Sequence, residues 1–150
     1  MIWPITTSTP IEISDRDTTC EMLWTVAQGA RVSLNPKILS TMNENADSIP
    51  RHSQILASKR HWLTGDPSQS SENLAQGFIL GHCAGVGTPF SDEIVRGAIF
   101  ARLKVLASGH TGCRGIVADK LVQMLNLNIT PIVPSQGSVG AAGDLAPMSY

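Results

Sequence analysis

Apolar residues recur at helical spacing through most of the chain, and the breaks between them carry helix-capping chemistry. Pro10-Ile-Glu-Ile-Ser14 alternates and predicts a short extended start. Ser14 followed by Asp17 has the form of a capping box, predicting a helix that Gly29 closes, with Met22, Leu23, Val26 and Ala27 on one face. Asn35-Pro36 supplies an N-cap and a proline at the first helical position, and Ile38, Leu39, Met42 and Ala46 continue until Ile49-Pro50 stops the pattern. From Pro50 to Ser71 the periodicity fails around Arg51, His52, Lys59, Arg60 and His61, which predicts a long loop. A third helix is expected from about Ser71 to Ala84, carrying Leu74, Phe78, Ile79 and His82, with Gly85-Val-Gly87 as its terminator. Ser91 caps a fourth, with Asp92 and Glu93 where the helix dipole favours anions and Ile94, Val95, Ala98, Ile99, Leu103 and Leu106 as its apolar stripe. A fifth starts near Thr111 and carries Ile116, Val117, Leu121, Met124 and Leu125. Thr130-Pro-Ile-Val-Pro134 is then extended, and a last helix begins near Asp144.

No run beyond the N-terminal piece alternates strictly and no repeat is visible, so the expected class is mainly α. The expected organisation is one region over residues 1–150, interrupted by the loop 50–71. Leu145 to Tyr150 start a helix too short to be stable alone, which gives the region the look of an incomplete domain.

Charge adds little: 11 Lys+Arg against 12 Asp+Glu give a net charge of -1, with no run of one sign to mark a nucleic-acid or membrane surface. No stretch approaches the roughly 20 apolar residues of a membrane span. The opening MIWPITTSTP lacks the charged start of a signal peptide, so a cytoplasmic protein is expected. Cys20, Cys83 and Cys113 have no metal-ligand spacing and are expected as reduced thiols, each a small core residue. No metal is expected, because no H-x-x-x-H, C-x-x-C or carboxylate cluster occurs. His52 and His61 suit a solvated loop and His110 a turn between helices, whereas His82 stands on an otherwise apolar helix side just before Gly85-Val-Gly87.

The remaining feature is Gly137-Ser-Val-Gly-Ala-Ala-Gly-Asp-Leu-Ala-Pro147. It has neither the spacing of a nucleophile elbow nor the lysine of a phosphate loop. Its glycines permit close backbone approach, and a helix starting near Asp144 would aim its N-terminal dipole at residues 141–143. Such a stretch either stabilises a developing anion or serves as a tight turn capping a helix.

The motif closely resembles the GSVGASGDLAP signature of the aromatic amino acid ammonia-lyase and 2,3-aminomutase family, the histidine, phenylalanine and tyrosine ammonia-lyases among them. Gly81-His-Cys-Ala-Gly-Val-Gly87 is similar to that family's S-H-A-A-G-V-G, and the resemblance runs on through Arg102-Leu-Lys-Val-Leu-Ala-Ser-Gly-His-Thr-Gly-Cys-Arg114. It implies the helical N-terminal part of the ammonia-lyase fold, ending where the central bundle begins. It also implies oligomeric assembly, with an aromatic amino acid as substrate. In the family Ala-Ser-Gly cyclises with loss of two waters into a methylidene-imidazolone (MIO) group, the electrophile for ammonia elimination. The matching positions here are Ala141, Ala142 and Gly143, with Gly137, Gly140, Asp144 and Leu145 as the structural frame and His82 at the substrate-lining position.

Two departures set expectations for the chemistry. Ala142 has no hydroxyl to eliminate, so the MIO is not expected to form. The family's Y-G-x-N-T-G-F-G loop, whose tyrosine acts as base, has no counterpart before His82, and the one tyrosine is Tyr150. One reading is an ammonia-lyase or aminomutase fragment of histidine or tyrosine type, inactive as written, either truncated or carrying an engineered serine-to-alanine change. A second is a non-catalytic relative acting as binding or assembly partner of a longer lyase or of a separate C-terminal half. A third is a small helical protein whose residual pocket binds an amino acid.

Overall fold

The computed structural model describes residues 9–14, 18–48, 71–138, 140 and 144–150. Helices dominate, and the strands are three or four residues long. The chain divides into two compact units, Met1–Ile49 with Ser91–Pro131 and Pro50–Phe90 with Ile132–Tyr150. The loop expected at 50–71 lies outside the described residues except for its last position.

The first unit begins with β1 (Ile11–Ile13), then α1 (Cys20–Ala27) and β2 (Val32–Leu34), and β1 pairs with β2 in parallel, Ile11 opposite Val32. The extended start is therefore as the alternation predicts. β2 escapes the pattern because Val-Ser-Leu is too short to show a period. The Asn126 side chain completes it from one edge, its Oδ1 accepting from Val32 N at 2.8 Å and its Nδ2 donating to Val32 O at 2.9 Å. α1 starts later than the capping-box reading implies. Thr19 is the N-cap, its Oγ1 accepting from Met22 N at 3.1 Å, while the Ser14 carbonyl is engaged by Lys104 Nζ at 2.6 Å. Gly29 closes the helix at φ +107°, a conformation that favours glycine.

α2 (Pro36–Ser48) opens as the sequence indicates, with Asn35 Oδ1 accepting from Lys37 N at 2.9 Å. α4 (Asp92–Ala107) and α5 (Gly115–Asn126) follow the second unit's first helix in chain order, and α4 packs against both α1 and α5. The Ser91 hydroxyl bonds the Glu93 carboxylate and holds that acid below its ordinary pKa, with Glu93's own backbone bond adding to the effect.

The buried face of α4 is rotated from the expected stripe. Val95, Phe100, Leu103 and Leu106 are inside, whereas Ala98 is exposed and Ile94 is 55% exposed. Gly97 faces α1 in this arrangement, and a Cβ there would lie 3.3 Å from Leu23 Cδ2, a tight contact that glycine avoids. α5 likewise buries Ala118, Val122 and Leu125 and exposes Ile116 and Val117. It starts at Gly115, whose N–H donates to Asn43 Oδ1 of α2 at 2.9 Å, four residues past the expected Thr111. Ile13, Val26, Val32 and Met42 join these residues in one core. Of the cysteines expected in the core, Cys113 is half-buried and packs against it, Cys83 is half-buried and Cys20 is exposed, all three as free thiols.

Arg96 holds this unit together from within. It is 5% exposed, and its guanidinium donates to the carbonyls of Val26 (3.1 Å), Leu125 (3.0 Å) and Ala30 (3.5 Å) and to Asn128 Oδ1 (3.1 Å). Two of those carbonyls close the last turns of α1 and α5, where the helix dipoles present negative ends to a cation. Burial pushes the Arg96 pKa down and Asp92 opposes that shift. Even so, guanidinium stays protonated at any working pH.

The second unit contains α3 (Ser71–His82), β3 (Val86–Pro89), β4 (Pro134–Gln136) and α6 (Leu145–Met148). β3 pairs antiparallel with β4, Val86 opposite Gln136 and Pro89 opposite Pro134, and Phe90 N donates to Val133 O at 2.9 Å. Gly85-Val-Gly87, expected only as a helix terminator, thus leads directly into a strand. Among the described residues no helix is long and apolar enough to cross a membrane.

Replacing Arg96 by methionine keeps the stem and removes four hydrogen bonds. Val26 O and Leu125 O each retain a backbone donor, so the loss expected in chemical unfolding is moderate, about 2–4 kcal/mol. Arg96→Lys, lacking the fork, should recover less than half of it.

Candidate functional site

Two glycine-bearing segments, far apart in sequence, meet in the second unit. A methyl group at Gly137 would lie 3.2 Å from Gly85 Cα and 3.2 Å from Ala146 Cβ. One at Gly85 would lie 3.1 Å from Pro134 Cβ and 3.3 Å from Tyr150 Cε2. A side chain at either position would crowd its neighbours, so the 81–87 motif and the 137–147 motif pack closely through glycine. Gly87 adds a left-handed conformation, φ +87°, packed on the Gln136 side chain.

The C-terminal residues fasten the same place. Tyr150 Oη accepts from Gly85 N at 3.0 Å and donates to Gly85 O at 3.4 Å, and Cys83 Sγ donates to Ser149 O at 3.4 Å. His82, the last residue of α3, is half-buried, and its carbonyl accepts from Ala84 N at 2.7 Å. Of the other histidines, His110 is an exposed turn residue, and His52 and His61 lie outside the described residues.

Ala141, Ala142 and Gly143 also lie outside the described residues, but their frame is in view. Gly140 and Asp144 both take positive φ, +73° and +56°, the second tolerated because aspartate is among the few side chains that visit this region. Ser138 Oγ donates to Asp144 Oδ1 and accepts from Gly140 N at 3.3 Å. The Asp144 carboxylate therefore points to Ser138 and makes no bond to the amides of α6. Leu145 is half-buried at the start of that helix. α6 spans Leu145–Met148, with Asp144 at its N-cap position.

Sequence reasoning missed Ser138 and Tyr150. The serine is hidden inside a run of small residues, and the tyrosine bonds backbone atoms 65 residues away, which no local pattern reveals. Among the described residues no group of His, Cys, Asp and Glu could hold a metal ion.

The aromatic amino acid lyase family matches residues 18–150 of the chain. Histidine ammonia-lyase of Symbiobacterium thermophilum is 31% identical over 152 residues, covering 93% of this chain and 29% of that relative. Tyrosine ammonia-lyase of Cupriavidus metallidurans is 31% identical over 155 residues, covering 94% of this chain and 28% of its own length. Among solved structures, tyrosine aminomutase of Streptomyces globisporus superposes with a TM-score of 0.73 at 28% identity, over 94% of this chain and 28% of that one. The chain thus spans less than a third of the length of these relatives.

The close backbone approach predicts opposite outcomes for two alanine substitutions. Gly137→Ala must displace Gly85 or Ala146 and should destabilise the second unit by about 1–3 kcal/mol. Gly81→Ala, within α3 and with nothing near its Cβ position, should stabilise by up to about 1 kcal/mol. Thermal unfolding of the two variants beside the parent chain measures both signs.

Proposed function

We propose a function from the premise that this chain belongs to the aromatic amino acid lyase family: it carries the N-terminal scaffold of a histidine- or tyrosine-type ammonia-lyase without the electrophile, and as written it eliminates no ammonia. One observation carries the proposal, the methyl side chain of Ala142. The residues at 141–143 do not fit an MIO group, because the central side chain has no β-hydroxyl to leave. Neither a rotamer nor a pKa shift can replace a missing leaving group. The tyrosine that would serve as base before His82 has no counterpart, and the chain's one tyrosine is committed to Gly85. The names of the relatives support an aromatic amino acid as the ligand class, and His82 is the residue we assign to contact it.

A second reading is supported by the apolar surface. In the second unit Leu80 is 72% and Ile132 74% exposed, with Ile79, Val86 and Met148 also open; in the first, Val105, Ile116 and Val117 are exposed. A contiguous apolar surface marks association, and these residues are the ones such a contact would cover. The partner we propose is a longer lyase-type chain, or a separate chain equivalent to the part of the relatives that this one does not span.

The test is direct. Purified chain incubated with L-histidine, L-tyrosine or L-phenylalanine should release no ammonia and show no absorbance from an unsaturated acid product. Turnover of any of the three would overturn the inactive reading. Ala142→Ser restores the leaving group, and a new near-ultraviolet absorbance in that variant would locate the defect in one side chain. Its absence, together with a partner that co-purifies, would assign the remaining requirement to the partner.

A further inference from the structure

We propose that Tyr150 is a positioning residue for His82: its hydroxyl clamps the backbone of Gly85 and so fixes the turn by which α3 ends. The phenol oxygen engages both polar groups of one residue, accepting from Gly85 N at 3.0 Å and donating to Gly85 O at 3.4 Å. Gly85 lies just before β3, and the hydroxyl supplies partners where regular structure has not yet begun.

The neighbouring contacts extend the clamp towards His82. Ser149 O accepts from Cys83 Sγ, and Ala84 N donates to the His82 carbonyl. Every residue from 82 to 85 is thereby engaged, two of them by the adjacent pair Ser149 and Tyr150. The ring fits because Gly85 has no side chain, its Cβ position lying 3.3 Å from Tyr150 Cε2. Phenylalanine would fill the same space and leave both Gly85 groups to solvent, so the hydroxyl is the functional part of the side chain. Tyr150 acts through backbone alone, and no proton transfer is assigned to it.

This inference rests on the reading of His82 as the residue that meets an aromatic amino acid, but its test does not depend on turnover. Amide hydrogen exchange and histidine ring signals are recorded by NMR on the 150-residue chain and on Tyr150→Phe. The Gly85 amide should be protected in the parent chain and should exchange about tenfold faster in the variant, the loss of one net hydrogen bond. The His82 ring signal should move, while His110 and the α4 amides stay where they were. Ser149→Ala, which keeps the carbonyl, should leave Gly85 unchanged.

A Gly85 amide exchanging at the free-peptide rate in the parent chain overturns the proposal, even if Tyr150→Phe fails to fold. Faster Gly85 exchange with an unmoved His82 signal, or equal changes at His110 and α4, also overturns it. Ammonia release would instead defeat the inactive reading and leave these readouts untouched.

Discussion

The second unit depends on two backbones approaching so closely that a side chain at either glycine would crowd its neighbours. Gly85 and Gly137 meet where a single methyl group would be 3.2 Å from the opposing Cα. Pairing of β3 with β4, the seat of the Tyr150 ring and the position of Ala146 all follow from that approach. Glycine loses more conformational freedom on folding than any other residue, so a design that uses several here must recover the cost elsewhere. The Tyr150 and Cys83 hydrogen bonds, and the Ser138 link between Gly140 and Asp144, are the visible compensation.

The first unit solves a different problem by related means. Its helices bring carbonyl ends together, and Arg96 satisfies them from inside the core where water cannot. Asparagines repeat the device at the edges, Asn126 on β2 and Asn43 on the start of α5. Polar side chains bonded to backbone thus set how the elements meet, and apolar burial supplies the bulk of the driving force. That division explains why both units can keep the family's architecture with alanine at residue 142.

Much of this was legible in the sequence. Caps and glycine stops located α2, α4 and the end of α1, and the eleven-residue glycine motif pointed to the family before any coordinates. What escaped did so for physical reasons. The strands β2, β3 and β4 are too short to show a period, and β3 begins in a stretch whose glycines look like a helix stop. The apolar stripe of α4 was misplaced because a small residue, Gly97, faces α1, where a periodicity argument expects a large one. Ser138 and Tyr150 act through contacts that local spacing does not encode. The substitution at 142, by contrast, needs no coordinates, since it is a statement about which atoms are present.

The central claim is that this scaffold is maintained without its electrophile, and the mass of the intact purified chain tests it most directly. Forming the electrophile at 141–143 would make the protein lighter by two water molecules, one from ring closure between the Gly143 nitrogen and the Ala141 carbonyl and one from a side-chain hydroxyl at 142, which alanine does not have. The account predicts the full mass of the encoded chain with no such deficit; a species lighter by two waters, mapped to the peptide containing Ala142, would contradict it.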